Sequence, residues 1–275
     1  SGLNTPNFKK ITGVKGLRKI DISGMGIESF DGLENMPNLK EAEISSNGEK
    51  TSKNFKSLSG IPKGHKLEKL KLSTSVTTDI KGIANFSHLK KLELWTGKRD
   101  LTDFTPLSKL KKLEELEMTV SGISDFSFLS NMPKLKQIVT YHAPITSLKG
   151  LDAAPNLEVL EINKGKLENI EHLDDNDQLK TLILNDHNIT KISGLEKLKK
   201  LNVLDLTFNK ISKIEGLDKN LCLEKFWVAG NPVNTFENLE HLPLLGEVGV
   251  DQTKISEFPN WKKLSRLYRL RVDID

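Results

Sequence analysis

The chain contains 275 residues, of which 36% are hydrophobic and 28% charged, and its formal net charge is +4. Disorder is excluded because this much apolar sequence can bury enough surface to offset the conformational entropy lost on folding. The 41 basic and 37 acidic residues are interspersed, so no basic excess points to a nucleic-acid partner. No apolar run approaches the roughly 18 residues of a spanning helix, so the sequence predicts no transmembrane segment.

Leucine is the unusual component of the composition, with 42 residues. The leucines recur in segments of the pattern L-x-x-L-x-L, and nine of the eleven spacings between these segments are 22 residues. The other two spacings are 28 and 24 residues, which predicts insertions near residues 45–60 and 97–100. The twelve segments begin at Leu17, Leu39, Leu67, Leu89, Leu113, Leu135, Leu157, Leu179, Leu201, Leu223, Leu245 and Leu267.

Each repeat combines two spacings of apolar residues. Counted from the first leucine as position 1, positions 4 and 6 alternate as in a strand, whereas positions 11, 14 and 17 are spaced as in a tight helical turn. The copy that begins at Leu201 shows both spacings. One such unit cannot bury its apolar residues alone, so we expect the units to stack with their strands paired in parallel. The predicted fold class is an α/β solenoid with one parallel β-sheet and short 3-10 or loop returns.

These residues resemble the leucine-rich repeat family from about residue 17 to residue 275. The 22-residue period and the return I-x-x-I-x-G-L, found at Ile189–Leu195 and Ile211–Leu217, are similar to the short repeats of bacterial internalins. They are also similar to those of eukaryotic phosphatase regulators of the SDS22 type. The resemblance implies a right-handed, curved solenoid whose sheet lies on the concave side, and a role in binding other proteins.

One position departs from the family pattern. Position 9 is typically asparagine, whose amide satisfies backbone groups where the chain leaves the strand. Here it is asparagine in only three of eleven copies, namely Asn47, Asn209 and Asn231. We therefore expect an incomplete ladder of hydrogen bonds and irregular turns in the middle of the array.

The ends and the larger insertion depart from the repeat. Residues 1–16 predict a partial N-terminal cap or a degenerate coil, followed by a leucine-rich repeat domain over residues 17–275. Because the chain begins Ser-Gly without a methionine, we expect a fragment whose signal and anchor lie elsewhere. The insertion at 45–60 is rich in Ser, Lys and Asn and is interpreted as a mobile surface loop, with a contact loop as the alternative.

No catalytic or cofactor motif is present, because the chain lacks the phosphate-binding, dinucleotide, zinc-protease, nucleophile-elbow and calcium-loop patterns. The six histidines fall at unrelated repeat positions, so we expect surface or turn histidines and no metal site. The single cysteine, Cys222, excludes a disulfide framework and is interpreted as a semi-buried structural thiol. The sequence therefore predicts a protein that is not an enzyme and binds no cofactor.

The candidate site lies at strand positions 3, 5 and 7, whose side chains point away from the core. The first five coils present mostly charges there, whereas the sixth to tenth present apolar and aromatic residues in a patch roughly 20 Å long with an acidic rim. This composition is typical of a protein-binding hot spot. A strand preference for β-branched residues is the alternative, and it explains valine and isoleucine better than the aromatic residues. The predicted partner-binding residues of this concave face are Trp95, Glu117, Val139, Tyr141, Val159, Glu161, Ile183, Val203, Asp205, Phe208 and Trp227.

The resemblance and the patch together predict a protein-binding module. The leading hypothesis is the extracellular repeat region of a bacterial cell-surface or secreted protein of internalin type, acting in virulence-associated adhesion. Its partner would be a host or bacterial protein, with a glycan as a further possibility. The alternative is a cytoplasmic leucine-rich repeat scaffold or a phosphatase-regulator-like adaptor.

Overall fold

A computed structural model of the chain describes residues 7–23, 27–46, 55–97, 101–235, 239–255 and 264–273. Each leucine-rich segment forms one short strand there. The twelve strands of the described residues follow chain order in the sheet, and every pairing that is defined in detail is parallel. They are β1 (Lys19–Ser23), β2 (Glu41–Ser46), β3 (Lys69–Thr74), β4 (Lys91–Thr96), β5 (Glu115–Thr119), β6 (Gln137–Tyr141), β7 (Val159–Asn163), β8 (Thr181–Ile183), β9 (Val203–Asp205), β10 (Lys225–Trp227), β11 (Glu247–Gly249) and β12 (Arg269–Arg271).

The register of the strands is the register of the repeat. Lys69 of β3 pairs with Lys91 of β4, and Thr181 of β8 pairs with Val203 of β9. Equivalent positions of successive coils therefore lie side by side. The insertions do not disturb this register, because the extra residues leave the strands at their usual positions.

The returns between strands are short. The described residues contain four 3-10 helices, at Leu33–Asn35, Lys81–Asn85, Thr105–Lys109 and Leu151–Ala153, while the other returns are turns, and no α-helix occurs in these ranges. Apolar residues three apart face the same way in such tight turns. The predicted leucine-rich repeat solenoid, with one parallel sheet and short returns, is confirmed.

The chain divides into two compact units, Ser1–Ile123 with Phe128–Gln137, and Ser124–Ser127 with Ile138–Asp275. In both units the core consists of the repeat's apolar positions. In the second unit, for example, Leu182 and Leu184 at strand positions 4 and 6 are fully buried, as are Ile189, Ile192 and Leu195 at positions 11, 14 and 17.

The first unit begins with a cluster of phenylalanines. The ring of Phe8 stacks on that of Phe30 with the centroids 5.9 Å apart, and Phe30 lies 5.8 Å from Phe55. Phe55 and Leu58 belong to the insertion at 45–60, and both are buried. The prediction of a mobile surface loop is therefore wrong for residues 55–60, because this part supplies core side chains. Residues 1–6, 47–54 and 98–100 of the cap and insertions lie outside the described residues.

A buried ladder of side chains at position 9 connects successive coils of the second unit. The Asn231 amide oxygen accepts from the Ile211 N–H at 2.9 Å, and its nitrogen donates to the Val228 and Leu206 carbonyls, both at 2.9 Å. Asn209 makes the equivalent bonds one coil earlier, accepting from the Ile189 N–H at 3.0 Å. We call these residues, with His187 below, the position-9 ladder.

His187 continues the position-9 ladder where asparagine is absent. Its Nδ1 accepts from the Leu167 N–H at 3.1 Å, and its Nε2 lies 2.9 Å from the Ile162 carbonyl oxygen. The imidazole thus offers one acceptor and one donor, as an amide does. The expected interruption of the ladder is wrong at this coil, and so is the expectation of surface or turn histidines, because His187 and also His65 are buried.

Candidate functional site

The predicted site residues divide between the two units. Trp95 on β4 and Glu117 on β5 belong to the first unit. The other nine belong to the second unit, on β6 to β10 or directly after β9. We use the term outward face for the side chains at strand positions 3, 5 and 7, and describe it separately for each unit.

On the outward face of the first unit, lysines and glutamates of neighbouring strands pair with one another. Lys71 Nζ lies 3.0 Å from a Glu43 carboxylate oxygen and 4.0 Å from one of Glu93, and Lys91 lies 3.0 Å from Glu115. The hydrogen bond to Glu43 is the main reason that the pKa of Lys71 is raised. This face therefore neutralises its own charges.

Trp95 belongs to the same arrangement. The Lys71 ammonium lies 5.0 Å from the centroid of the Trp95 ring, within the range of a cation–π contact. The Trp95 side chain is 37% exposed. The indole therefore already has a cationic partner from its own chain, and this partner is held in turn by glutamates.

The outward face of the second unit brings the predicted residues into a continuous row. Glu161 of β7 pairs with Ile183 of β8, Ile183 with Asp205 of β9, and Asp205 with Trp227 of β10. Val203 occupies the neighbouring row on β9 and is half-buried, as is Tyr141 at the end of β6. The register expected from the 22-residue period therefore holds across these strands.

One predicted residue does not contribute surface. Val139 on β6 is only 4% exposed, so it is a core-like residue and not part of the exposed patch. A short side chain becomes inaccessible when larger ones such as Tyr141, two residues later on the same face, stand beside it. The sequence pattern gives the direction of a side chain but not the height of its neighbours.

Phe208 is displayed by an unusual backbone. Position 8 adopts a left-handed conformation along this unit, with φ of 57° at His142, 65° at Lys164, 58° at Asp186 and 56° at Phe208. A bulky residue is costly there. The Phe208 side chain is nonetheless 53% exposed, so burial of the ring does not explain this conformation.

Glycines of the next coil support both aromatic rings. A Cβ atom on Gly230 would lie 2.3 Å from Cδ1 of Phe208, and one on Gly249 would lie 2.6 Å from Cδ1 of Trp227. Each ring therefore lies flat against a backbone that carries no side chain. The buried Nε1 of Trp227 has no hydrogen-bond partner in the described part of the chain, so packing rather than a polar contact holds the indole.

Between and beside these rings lies a cavity of ≈ 430 Å³, which we call the aromatic groove. The small side chain of Ala229 and the backbone of Gly249 form its floor, and the carboxylates of Asp205 and Asp251 stand beside the rings. The sequence prediction did not include Ala229, Gly249, Gln252 or Arg271, although a glycine beside tryptophan in the same outward row was a usable signal. The full lining is Asp205, Thr207, Phe208, Trp227, Ala229, Gly249, Asp251, Gln252 and Arg271.

Other chemistry is sparse. Within the described ranges, no group of three or more His, Cys, Asp or Glu side chains could hold a metal ion. Cys222 is exposed, which corrects the prediction of a semi-buried thiol, because it lies in the turn before β10, whereas the next residue, Leu223, turns inward. Burial lowers the pKa of both His65 and His187, and each ring bonds to a backbone carbonyl in place of a ligand.

Comparison with known proteins agrees with this geometry. A family model described as leucine-rich repeats (2 copies) matches residues 177–219. The fold is similar to an internalin (inlF) from Listeria monocytogenes, at 18% identity and a TM-score of 0.67, covering 95% of this chain and 88% of that one. It is also similar to a leucine-rich repeat protein of Leptospira interrogans, at 20% identity and a TM-score of 0.71, covering 94% and 73%. Comparison with curated proteins gave no match.

A third similarity is to a chain in the Drosophila Toll–Spätzle complex, at 16% identity and a TM-score of 0.67, where 88% of this chain covers 35% of that one. At these identities the similarities concern the fold. The protein is a leucine-rich repeat protein, and within that class its fold resembles that of the internalins. Such a fold suggests a protein-binding module. No helix of the described residues is long and apolar enough to cross a membrane.

Proposed function

We propose that this chain is the extracellular, non-enzymatic binding region of a bacterial cell-surface or secreted protein, and that it recognises a host or bacterial protein in adhesion. The outward face of the second unit would be the binding surface. The observation that carries the proposal is the aromatic groove, where Phe208 and Trp227 lie in the open beside Asp205 and Asp251. Tryptophan and other aromatic anchors contribute much of the energy of protein interfaces.

The mechanism of binding is preorganisation. The position-9 ladder and the parallel hydrogen bonds fix the strands, and the glycines below Phe208 and Trp227 fix the ring planes. Few rotamers remain to be frozen when a partner binds, so little conformational entropy is lost. The outward face of the first unit lacks this readiness, because Trp95 is occupied by Lys71.

Random peptides displayed on phage and selected on the immobilised protein test the binding surface. We expect selected peptides to lose about 2 kcal/mol or more of binding free energy in the double variant Trp227→Ala with Tyr141→Ala. The matched control is Trp95→Ala, which removes a tryptophan from the outward face of the first unit and should leave binding unchanged. Peptides that bind the double variant as tightly as the wild type would contradict the proposal.

The cellular location has a separate test. Surface biotinylation and fractionation of the source cells should recover the protein outside the cytoplasm. Recovery with the cytoplasmic proteins would contradict the extracellular assignment and favour a scaffold or phosphatase-regulator-like adaptor.

A further inference from the structure

The two units contain the same combination of groups with one difference. In the first unit, Trp95 has the Lys71 ammonium above its ring, and Glu43 and Glu93 hold that lysine. In the second unit, Trp227 also lies beside two carboxylates, those of Asp205 and Asp251. In the described part of the chain, however, no cation lies above the Trp227 ring.

The carboxylates of the aromatic groove are not neutralised by neighbours. Asp205 accepts the Thr207 N–H at 2.9 Å, a contact that orients the carboxylate without removing its charge. Neither Asp205 nor Asp251 forms an ion pair with another described residue. Arg271 lines the opposite side, so two carboxylates and one guanidinium leave one negative charge in excess. The groove is therefore complementary to a cation.

The shape of the aromatic groove suits a long side chain. Two rings form its walls, Ala229 and Gly249 form its floor, and the Asp251 carboxylate stands on the next strand beyond Ala229. A lysine or arginine can lay its aliphatic stem against aromatic rings while its charged end reaches a carboxylate. The volume of ≈ 430 Å³ is within the usual range for ligand pockets, about 300 to 1,000 Å³.

We propose that the aromatic groove binds a lysine or arginine side chain of the partner protein, between Phe208 and Trp227 and against Asp251. This inference rests on the proposed function and names the chemistry of the partner residue. The partner supplies from outside what Lys71 supplies for Trp95 within the first unit. Arg271 favours orientations of the partner in which a carboxylate follows the basic residue on the β12 side.

The phage-selected peptides also test this assignment. We expect the peptides that need Trp227 to carry lysine or arginine at a fixed position, and Asp251→Asn to weaken them about tenfold. Replacing the peptide's basic residue by neutral norleucine should weaken wild-type binding by a similar factor. It should change little in the Asp251→Asn variant, because both substitutions break the same contact. The matched control is Glu43→Gln beside Trp95, which should leave binding unchanged.

The possible failures are distinguishable. Peptides that bind through Trp227 without a basic residue, or that bind Asp251→Asn as tightly as the wild type, overturn the cation assignment and leave the proposed function intact. Peptides indifferent to Trp227→Ala with Tyr141→Ala contradict the proposed function itself. Neutral oligosaccharides that require Trp227 but not Asp251 would assign the groove to a glycan and overturn the proposal. If Asp251→Asn does not retain the wild-type unfolding midpoint, Asp205→Asn is used in its place.

Discussion

At the scale of single residues, His187 shows how a histidine can replace an asparagine in a buried ladder. The ring is neutral there, because Nδ1 accepts the Leu167 N–H and so cannot itself carry a proton. Burial lowers the pKa of His187, and the nearby Asp186 carboxylate opposes this only in part. Protonation would remove an acceptor and introduce a buried charge.

This arrangement predicts an acid-sensitive contribution to stability. Because the folded-state pKa of His187 is below the unfolded value, its contribution is fully present above the unfolded pKa and is lost as pH falls through the folded pKa. Between about pH 6.5 and the folded pKa, the difference in unfolding free energy between wild type and His187→Asn should change by up to about 1.4 kcal/mol per pH unit. Urea unfolding over a pH series measures it.

Asn209→His is the matched variant, because it places a second imidazole in the position-9 ladder one coil later. It should make the unfolding free energy more dependent on pH than that of the wild type. Parallel pH curves for the wild type and His187→Asn would show that the imidazole is not a neutral member of the ladder.

Phe208 combines backbone strain with exposure, which is what a residue kept for a partner would show. Replacing it by glycine removes both the ring and the left-handed strain, whereas alanine removes only the ring. We expect Phe208→Gly to be more stable than Phe208→Ala by about 1 kcal/mol, because φ of 56° suits glycine. Chemical denaturation of the two variants measures the difference. Equal stability would mean that the backbone relaxes out of the left-handed region once the ring is gone.

At the scale of the element, β11 acts as a support for β10. Gly249 has no side chain, and for this reason the Trp227 indole can lie across β11 and form a wall of the aromatic groove. The function of this strand is thus to leave space. A single methyl group there would compete with the ring for the same volume.

Gly249→Ala should displace the Trp227 ring and close the groove. We expect a clear shift of the Trp227 indole resonance in a ¹⁵N–¹H spectrum and loss of groove-dependent peptide binding, while the free energy of unfolding falls by about 1 kcal/mol or less because the ring can move into solvent. Gly97→Ala is the control, since its new Cβ would lie at an ordinary 3.5 Å from Ser75. An unmoved Trp227 resonance in Gly249→Ala would contradict this account of the groove.

At the scale of the whole molecule, burial at one repeat position depends on which coil carries it. Leu204 on β9 and Leu270 on β12 both occupy position 4, but Leu204 is fully buried and Leu270 is 36% exposed. A coil in the array gains apolar contacts from both neighbours, as expected for a solenoid.

Matched substitutions should show this difference directly. Leu204→Ala should lower the free energy of unfolding by about 3 kcal/mol, because it leaves a cavity, whereas Leu270→Ala should cost about 1 kcal/mol or less. Equilibrium unfolding of both variants of this chain tests the expectation. Similar costs at the two positions would mean that β12 is packed as tightly as β9 in solution.

The sequence predicted most of the fold because the period of 22 residues fixes the strand positions, the core positions and the outward rows together. It could not predict how far each outward side chain is covered, as Val139 shows. It also could not give the planes of the Phe208 and Trp227 rings, because these depend on the missing side chains of Gly230 and Gly249 one coil later. His187 was misjudged because a search for asparagine overlooks another side chain with one donor and one acceptor.

The position-9 ladder has a consequence for inheritance. Asn209 bonds to the Leu184 carbonyl and Asn231 to the Leu206 carbonyl, in each case 25 residues earlier, so every rung is interchangeable with the next. Excision of residues 201–222 would bring Asn231 to the contacts that Asn209 now makes. Trp227 would then pair with Ile183 in place of Asp205, and Phe208 would be gone. A recombination event that gains or loses one whole period therefore keeps the interior intact and changes the recognition surface in a single generation.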